Sequence, residues 1–184
     1  REDGKIKHIE KHADKALDIK SIIKILGRTG NTIITFNGNH YDMPVLKLAL
    51  SGGTCAEMKS LSDKIIVEQI KTWNLDRPKC DHVDLKEVAP SMASLKIYGG
   101  RMAAQKLKDL PIDPSHLVTA SQREELKTYC ENDLRLTELL YKSLIPQLDL
   151  RVKLTNEYNV DMRSKSDAQI AEAIIRKYLK TKKV

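Results

Sequence analysis

The run from Arg123 to Leu144 constrains the fold more than any other stretch of this 184-residue chain. It reads as one long helix. Ser121 and Glu124 form an S-x-x-E capping box at its start. Leu126, Cys130, Leu134, Thr137, Leu140 and Tyr141 recur at helical spacing, which predicts a buried stripe. Tyr129 and Asp133 are four apart, so they share a face, one turn from each other. A phenol and a carboxylate stacked this way can hold a metal-bound water between them. The plainer reading is a tyrosine at the rim of the core and an aspartate in solvent, since Y-x-x-x-D pairs often arise by chance.

A second stretch changes that balance. Thr32 to Phe36 is a β-branched apolar run suited to a buried strand. Asn37-Gly38-Asn39-His40 is turn chemistry. Asp42 then stands at the start of a helix that has Pro44 in its first turn and runs to about Leu50. An acidic residue just beyond the carboxyl end of a strand is where open α/β sheets place ligands.

Together these residues resemble the 3′→5′ proofreading exonuclease domain of DNA polymerases, the DEDDy branch of the RNase H-like exonucleases. Asn37-Gly-Asn-His-Tyr41-Asp42 is similar to that family's N-x-x-x-[FY]-D motif, and Tyr129 with Asp133 to its Y-x-x-x-D motif. Ser94-Leu95-Lys96-Ile97-Tyr98 fits the family's [ST]-L-x-x-h motif, which grips single-stranded DNA. Each motif alone is weak, but three in the right order are more specific, and the likeness spans roughly residues 5 to 145. The departure is the family's first motif, D-x-E, which occurs nowhere in the sequence.

The resemblance implies an α/β fold, an RNase H-like mixed sheet flanked by helices that lacks its first strand or strands, with a helical C-terminal extension. It places D-x-E on a strand upstream of Arg1, whose sequence Arg1-Glu2-Asp3-Gly4-Lys5 resembles the hairpin turn after that strand. The expectation is a piece of a longer polypeptide: an N-terminally incomplete exonuclease domain over 1–145, then a helical linker over 146–184 leading towards a polymerase domain of the same polypeptide. The implied reaction is hydrolysis of the 3′-terminal phosphodiester of single-stranded DNA with two Mg²⁺ or Mn²⁺ ions, hard cations that call for carboxylates. Asp42 and Asp133 would be ligands and catalytic residues. Tyr129 would orient the attacking water, because a phenol is a poor base at neutral pH. Asn37 would bind the terminal nucleotide, and Tyr41 would pack on a sugar or base. Ser94, Leu95 and Tyr98 would hold the frayed strand, and Lys106 or Lys108 would meet a phosphate. With the D-x-E pair absent, the chain by itself is expected to be inactive. The alternatives are a non-catalytic nucleic-acid-binding domain that kept the fold, and an RNA-trimming exonuclease of the same superfamily. A bacterial or phage-infected cytoplasm is the implied setting.

Composition bears on this only loosely. The net charge of +7 favours anionic partners, although many soluble domains carry as much. Aromatics are only 4% of residues, which predicts an aliphatic core. The absence of a long uncharged apolar run argues against a membrane span, and no membrane partner is expected. Cys55, Cys80 and Cys130 have no framework or zinc spacing, as in a reducing compartment.

The remaining segments yield coarser expectations. Residues 5–10 alternate as a half-exposed strand bearing His8. Leu17–Leu26 reads as a helix closed by Gly27 or Gly30. Thr54 and Glu57 form a capping box for a helix whose Met58, Leu61, Ile65, Ile66 and Ile70 would pack in the core, with Trp73 anchoring its end. His82–Leu85 reads as a short strand; Asp84 on it could approach the metal site, but the resemblance implies a mainly architectural role for this strand. Residues 105–116 form a proline-punctuated loop with helical pieces. After Pro146, a helix carrying Leu148, Leu150, Val152 and Leu154 precedes a turn, then an amphipathic helix over Ala168–Leu179 with Ser166 as N-cap.

Overall fold

The computed structural model describes residues 6–12, 15–104 and 106–181. The fold is mixed α/β, with helix predominating and a small parallel sheet. The chain divides into two compact units, one of residues Ile9–Glu87 and one of Arg1–His8 with Val88–Val184.

The first unit opens with α1 (Ile19–Leu26), whose N-cap Asp18 accepts a hydrogen bond from the Ser21 amide at 3.0 Å. Strand β1 (Ile33–Thr35) leads into α2 (Asp42–Leu50) and α3 (Cys55–Ile66), and β2 (His82–Asp84) returns parallel to β1. Two parallel strands need such a helical crossover between them. The register pairs Ile33 with His82, Ile34 with Val83 and Thr35 with Asp84. The Thr54–Glu57 capping box is present on α3 as the sequence predicts. That helix buries none of its residues, however, and Ile66 is 61% exposed. Its apolar stripe is therefore not core, and Ile70 lies beyond its end. Trp73, expected to anchor the helix, is 62% exposed on a single 3₁₀ turn, where the Lys71 ammonium lies 5.3 Å from its ring centre.

The second unit is helical. A short helix, α4 (Leu85–Val88), follows β2 across the boundary between the units. It is followed by α5 (Leu95–Arg101), α6 (Ala120–Ser143), α7 (Ile145–Tyr158) and α8 (Asp167–Thr181). The described part of the 105–116 segment holds no helix. Residues 6–10 are irregular rather than a strand; no strand among the described residues pairs with them, and an unpaired ladder does not persist alone. Lys5 lies outside the described residues.

Helix α6 begins earlier than expected. Its cap is a T-x-x-Q box: the Gln122 amide donates to Thr119 Oγ1 at 3.4 Å, and the Thr119 amide to Gln122 Oε1 at 2.9 Å. Ser121 and Glu124 are already inside the first turns. The buried face is also rotated from the expected one. It carries Asn132 and Leu136 beside the expected Leu140, whereas Cys130 is exposed, Leu134 is 51% exposed and Tyr141 38%. The reason is the docking of α5. A Cβ on Gly99 would lie 2.9 Å from the Cδ tips of both Leu107 and Leu136, so a larger residue there would make both leucines shift. Leucines surround α6, and periodicity alone could not say which of them α5 would cover.

Helix α7 carries Pro146 in its first turn, where proline costs little. Its one buried residue is Arg151, while Leu150 and Val152 are 53% and 44% exposed. The Arg151 guanidinium donates to the carbonyls of Lys165 (3.0 Å) and Gln147 (3.2 Å) and to Asp167 Oδ1 (2.6 Å). Ser166 caps α8 as expected, in a reciprocal pair with Gln169. Among the described residues no helix is long and apolar enough to cross a membrane.

Candidate active site

The sequence-derived site residues fall into both units: Asn37, Tyr41 and Asp42 in the first, the others in the second.

In the first unit the site is built on the turn after β1. Asn37 has φ of 65°, a left-handed conformation that asparagine tolerates. Gly38 is required by crowding, since a Cβ there would lie 2.1 Å from Thr35 Oγ1. The turn is held by Asp84, which is completely buried. One Asp84 carboxylate oxygen accepts from the Asn37 amide at 2.7 Å and from the Lys86 amide at 3.1 Å; the other accepts from the Asn39 amide at 2.8 Å. A buried carboxylate taking three backbone N–H groups is an architectural element, consistent with the sequence expectation. Arg77 adds to the brace, donating to the Asn39 carbonyl at 2.8 Å.

Asp42 opens α2 and is exposed as a residue, yet enough protein surrounds its carboxyl to hold its pKa above the usual carboxylate range. Loss of solvent is the main cause and repulsion from Asp84 a lesser one, opposed by the hydrogen bond from its own backbone amide. Asn37 Oδ1 accepts from the Lys86 ammonium at 3.1 Å, and the Tyr41 hydroxyl lies 2.9 Å from Ser62 Oγ on α3. Asn37, His40, Tyr41, Ile66, Thr72 and Lys86 are among the residues lining an open cavity of about 450 Å³. Sequence reasoning assigned no role to His40 or Lys86 in this wall. Their only signal is position, next to Asp42 and just after a strand end.

In the second unit Tyr129 and Asp133 lie on the docked side of α6, in line with Asn132 and Leu136. They are close enough for each to shift the other's titration. Tyr129 is pushed up to about 12 by loss of solvent, then by the charge and hydrogen bond of Asp133. It is therefore a neutral donor at physiological pH. Loss of solvent also raises Asp133, against the lowering effects of Tyr129, the Lys96 charge and Asn132. The aspartate is thus half-buried and not a solvated surface residue. The Asn132 side chain is buried, and its Nδ2 has no partner at hydrogen-bond geometry among the described residues.

Ser94 is exposed and caps α5, its Oγ accepting from the Ile97 amide at 3.4 Å; Leu95 beside it is half-buried. Tyr98 is placed differently from its expected role on the strand. It is 5% exposed, and its hydroxyl donates to the carbonyls of Pro90 (2.8 Å) and Ser91 (2.5 Å), so it braces the turn before α5. The apolar side chain that α5 presents to solvent is Ile97, 50% exposed, which sequence reasoning passed over. Lys106 is exposed and Lys108 partly so, both on irregular chain.

Among the described residues no group of three or more His, Cys, Asp or Glu side chains is gathered closely enough to hold a metal ion. Asp42 and Asp133 are hard oxygen donors of the right kind for Mg²⁺ or Mn²⁺. In the first unit the neighbouring carboxylate, Asp84, is committed to backbone amides. In the second, Asp133 stands beside a phenol and no other carboxylate is gathered with it among the described residues. Neither set, taken by itself, fits a pair of ions. The chain matches no protein-family model, no curated protein and no solved structure.

Proposed function

We propose that this chain is part of a 3′→5′ exonuclease of the RNase H-like, DNA-polymerase-associated kind, acting on the 3′ end of single-stranded DNA. The observation that carries the reading is the Tyr129–Asp133 pair. It lies in line with the buried Asn132 and Leu136 of α6, half-buried and with both pKa values raised mainly by loss of solvent, where an incidental Y-x-x-x-D pair on a surface helix would be fully exposed. The turn bearing Asn37 and Asp42 adds support, because a buried carboxylate rigidifies it at the carboxyl ends of two parallel strands.

In this reading Asp133 and Asp42 supply negative charge to the reaction. Tyr129, neutral, donates a hydrogen bond and orients water rather than removing its proton. By the resemblance Asn37 and Tyr41 would meet the terminal nucleotide, and Ser94 and Leu95 would grip the single strand. The resemblance calls for two Mg²⁺ or Mn²⁺ ions, but the carboxylates of each unit are too few for such a pair. The requirement is therefore itself to be measured, and trimming in the presence of a chelator would count against it. With no D-x-E in its sequence, the chain by itself is expected to bind DNA and to trim it little or not at all.

The test is incubation of 5′-labelled single-stranded DNA and a matched RNA with the polypeptide encoded by the complete gene, in Mg²⁺ or Mn²⁺. Shortening of DNA from its 3′ end supports the reading. Preferential shortening of RNA would replace it with an RNA-trimming enzyme, the 2′-hydroxyl being the chemical difference. Binding without shortening would leave the alternative, a non-catalytic nucleic-acid-binding domain that kept the fold.

A further inference from the structure

Lys96 has no assigned role, yet it occupies a telling position. It is the second residue of α5, immediately after Ser94 and Leu95. Its ammonium forms an ion pair with Asp109, in the irregular segment before α6. The Asp109 side chain is 98% exposed and that of Lys96 37%. An ion pair so open to water adds little stability, so another anion can take the carboxylate's place at small cost. Lys96 stands three residues before Gly99, and Asp133 three residues before Leu136, on which Gly99 packs. The Lys96 charge accordingly reaches Asp133 and favours its ionised form. Unlike Lys106 and Lys108, Lys96 is fixed on the same helix as Leu95, with Ser94 as that helix's cap, so its reach is set by the turn that would hold the strand.

We infer that Lys96 contacts a phosphodiester of the single strand held at Ser94 and Leu95, and that Asp109 occupies its ammonium until that phosphate displaces it. This rests on the single-stranded DNA reading above. A lysine suits the task, since it acts on phosphate as a point charge that needs no fixed fork geometry. Asp109 makes the contact competitive: a strand gains it only by exchanging one singly charged anion for another. Chain lacking a suitably placed phosphate therefore gains nothing at this position.

The test is binding of a fluorescent oligo-dT by the chain in EDTA, followed by anisotropy across a range of NaCl concentrations. Lys96→Ala is expected to weaken binding severalfold and to reduce the salt slope by about 0.7, the loss of one single-strand phosphate contact. Asp109→Asn is expected to tighten binding severalfold, and to have no effect once Lys96 is alanine. Asp113→Asn, which removes a nearby exposed carboxylate not paired with Lys96, should leave binding close to that of the unaltered chain. An unchanged salt slope in Lys96→Ala would overturn the inference. So would equal tightening by Asp109→Asn in the presence and absence of Lys96, which would mark a general charge effect. If the unaltered chain binds no oligo-dT, the single-strand reading falls and this inference with it. If it binds but neither variant differs from it, this inference alone falls.

Discussion

Two aspartates with the same chemistry do opposite things here, and their surroundings decide which. Asp84 is buried and fully committed, accepting three backbone N–H groups that hold the Asn37–Asn39 turn. Asp84→Asn puts an amide N–H₂ where an acceptor is needed. It should lower stability by about 1–3 kcal/mol in urea unfolding, the usual cost of leaving a buried polar group unmatched. Asp133 is instead half-buried with its pKa raised, so burial penalises its charge. The folded state therefore holds a proton more tightly than the unfolded state. The resulting stability is fully present below the ordinary carboxyl value of 3.8 and is lost as pH rises through the raised value. Asp133→Asn removes that penalty. Its melting temperature at pH 7 should exceed that of the unaltered chain, and the gain should vanish below about pH 4. A melting temperature that falls at pH 7 would show that Asp133 contributes favourably to the fold. A residue that costs stability and remains ionisable is the kind that sites retain.

At the scale of elements, the sequence located most helices and misjudged which faces they bury. The Thr54–Glu57 box and the β1 strand could be read because their signals are local, fixed by neighbours three residues away or by a run of β-branched residues. The buried face of α6 could be read only at Leu140, because the rest depends on where α5 docks, with Gly99 set close against Leu136. The same docking leaves Tyr129 and Asp133 half-buried rather than a rim tyrosine with a solvated aspartate. Gly99→Val should therefore destabilise the chain by about 1–3 kcal/mol through overpacking, and Leu136→Ala by about 2–5 kcal/mol through the cavity it leaves. Thermal or urea melts would measure both. The cap of α6 gives a sharper contrast. Thr119→Ala should cost about 1 kcal/mol, and Ser121→Ala, inside the helix, nearly nothing. Equal costs would put the helix start where the sequence first suggested. Arg151 was invisible to periodicity because apolar spacing does not register a buried guanidinium. Its anchoring of the α7–α8 turn rests on two carbonyls and Asp167.

For the molecule as a whole, charge is unevenly shared. Nearly all of the net charge of +7 belongs to the unit that carries α5 and α6. That unit also holds the strand-gripping residues of the proposed function, where a polyanion would be drawn. The sequence offered three short motifs in order, and the structure places Asp42 just after a braced turn and Asp133 half-buried beside Tyr129. The third gained less, since Tyr98 is buried and only Ser94 and Leu95 remain open to a strand. Motif spacing carries no information on exposure, which is why that assignment went astray.

The most direct test of the account is the trimming rate of 5′-labelled single-stranded DNA by the polypeptide encoded by the complete gene, compared with its Asp133→Ala and Tyr129→Phe variants. Circular dichroism would establish that each variant is folded. The account predicts stepwise shortening from the 3′ end, abolished by Asp133→Ala and slowed by roughly 10²–10⁴-fold by Tyr129→Phe, the range typical of a lost positioned proton donor or acceptor. Near-normal trimming by a folded Asp133→Ala variant, or no trimming by the unaltered polypeptide, would contradict it.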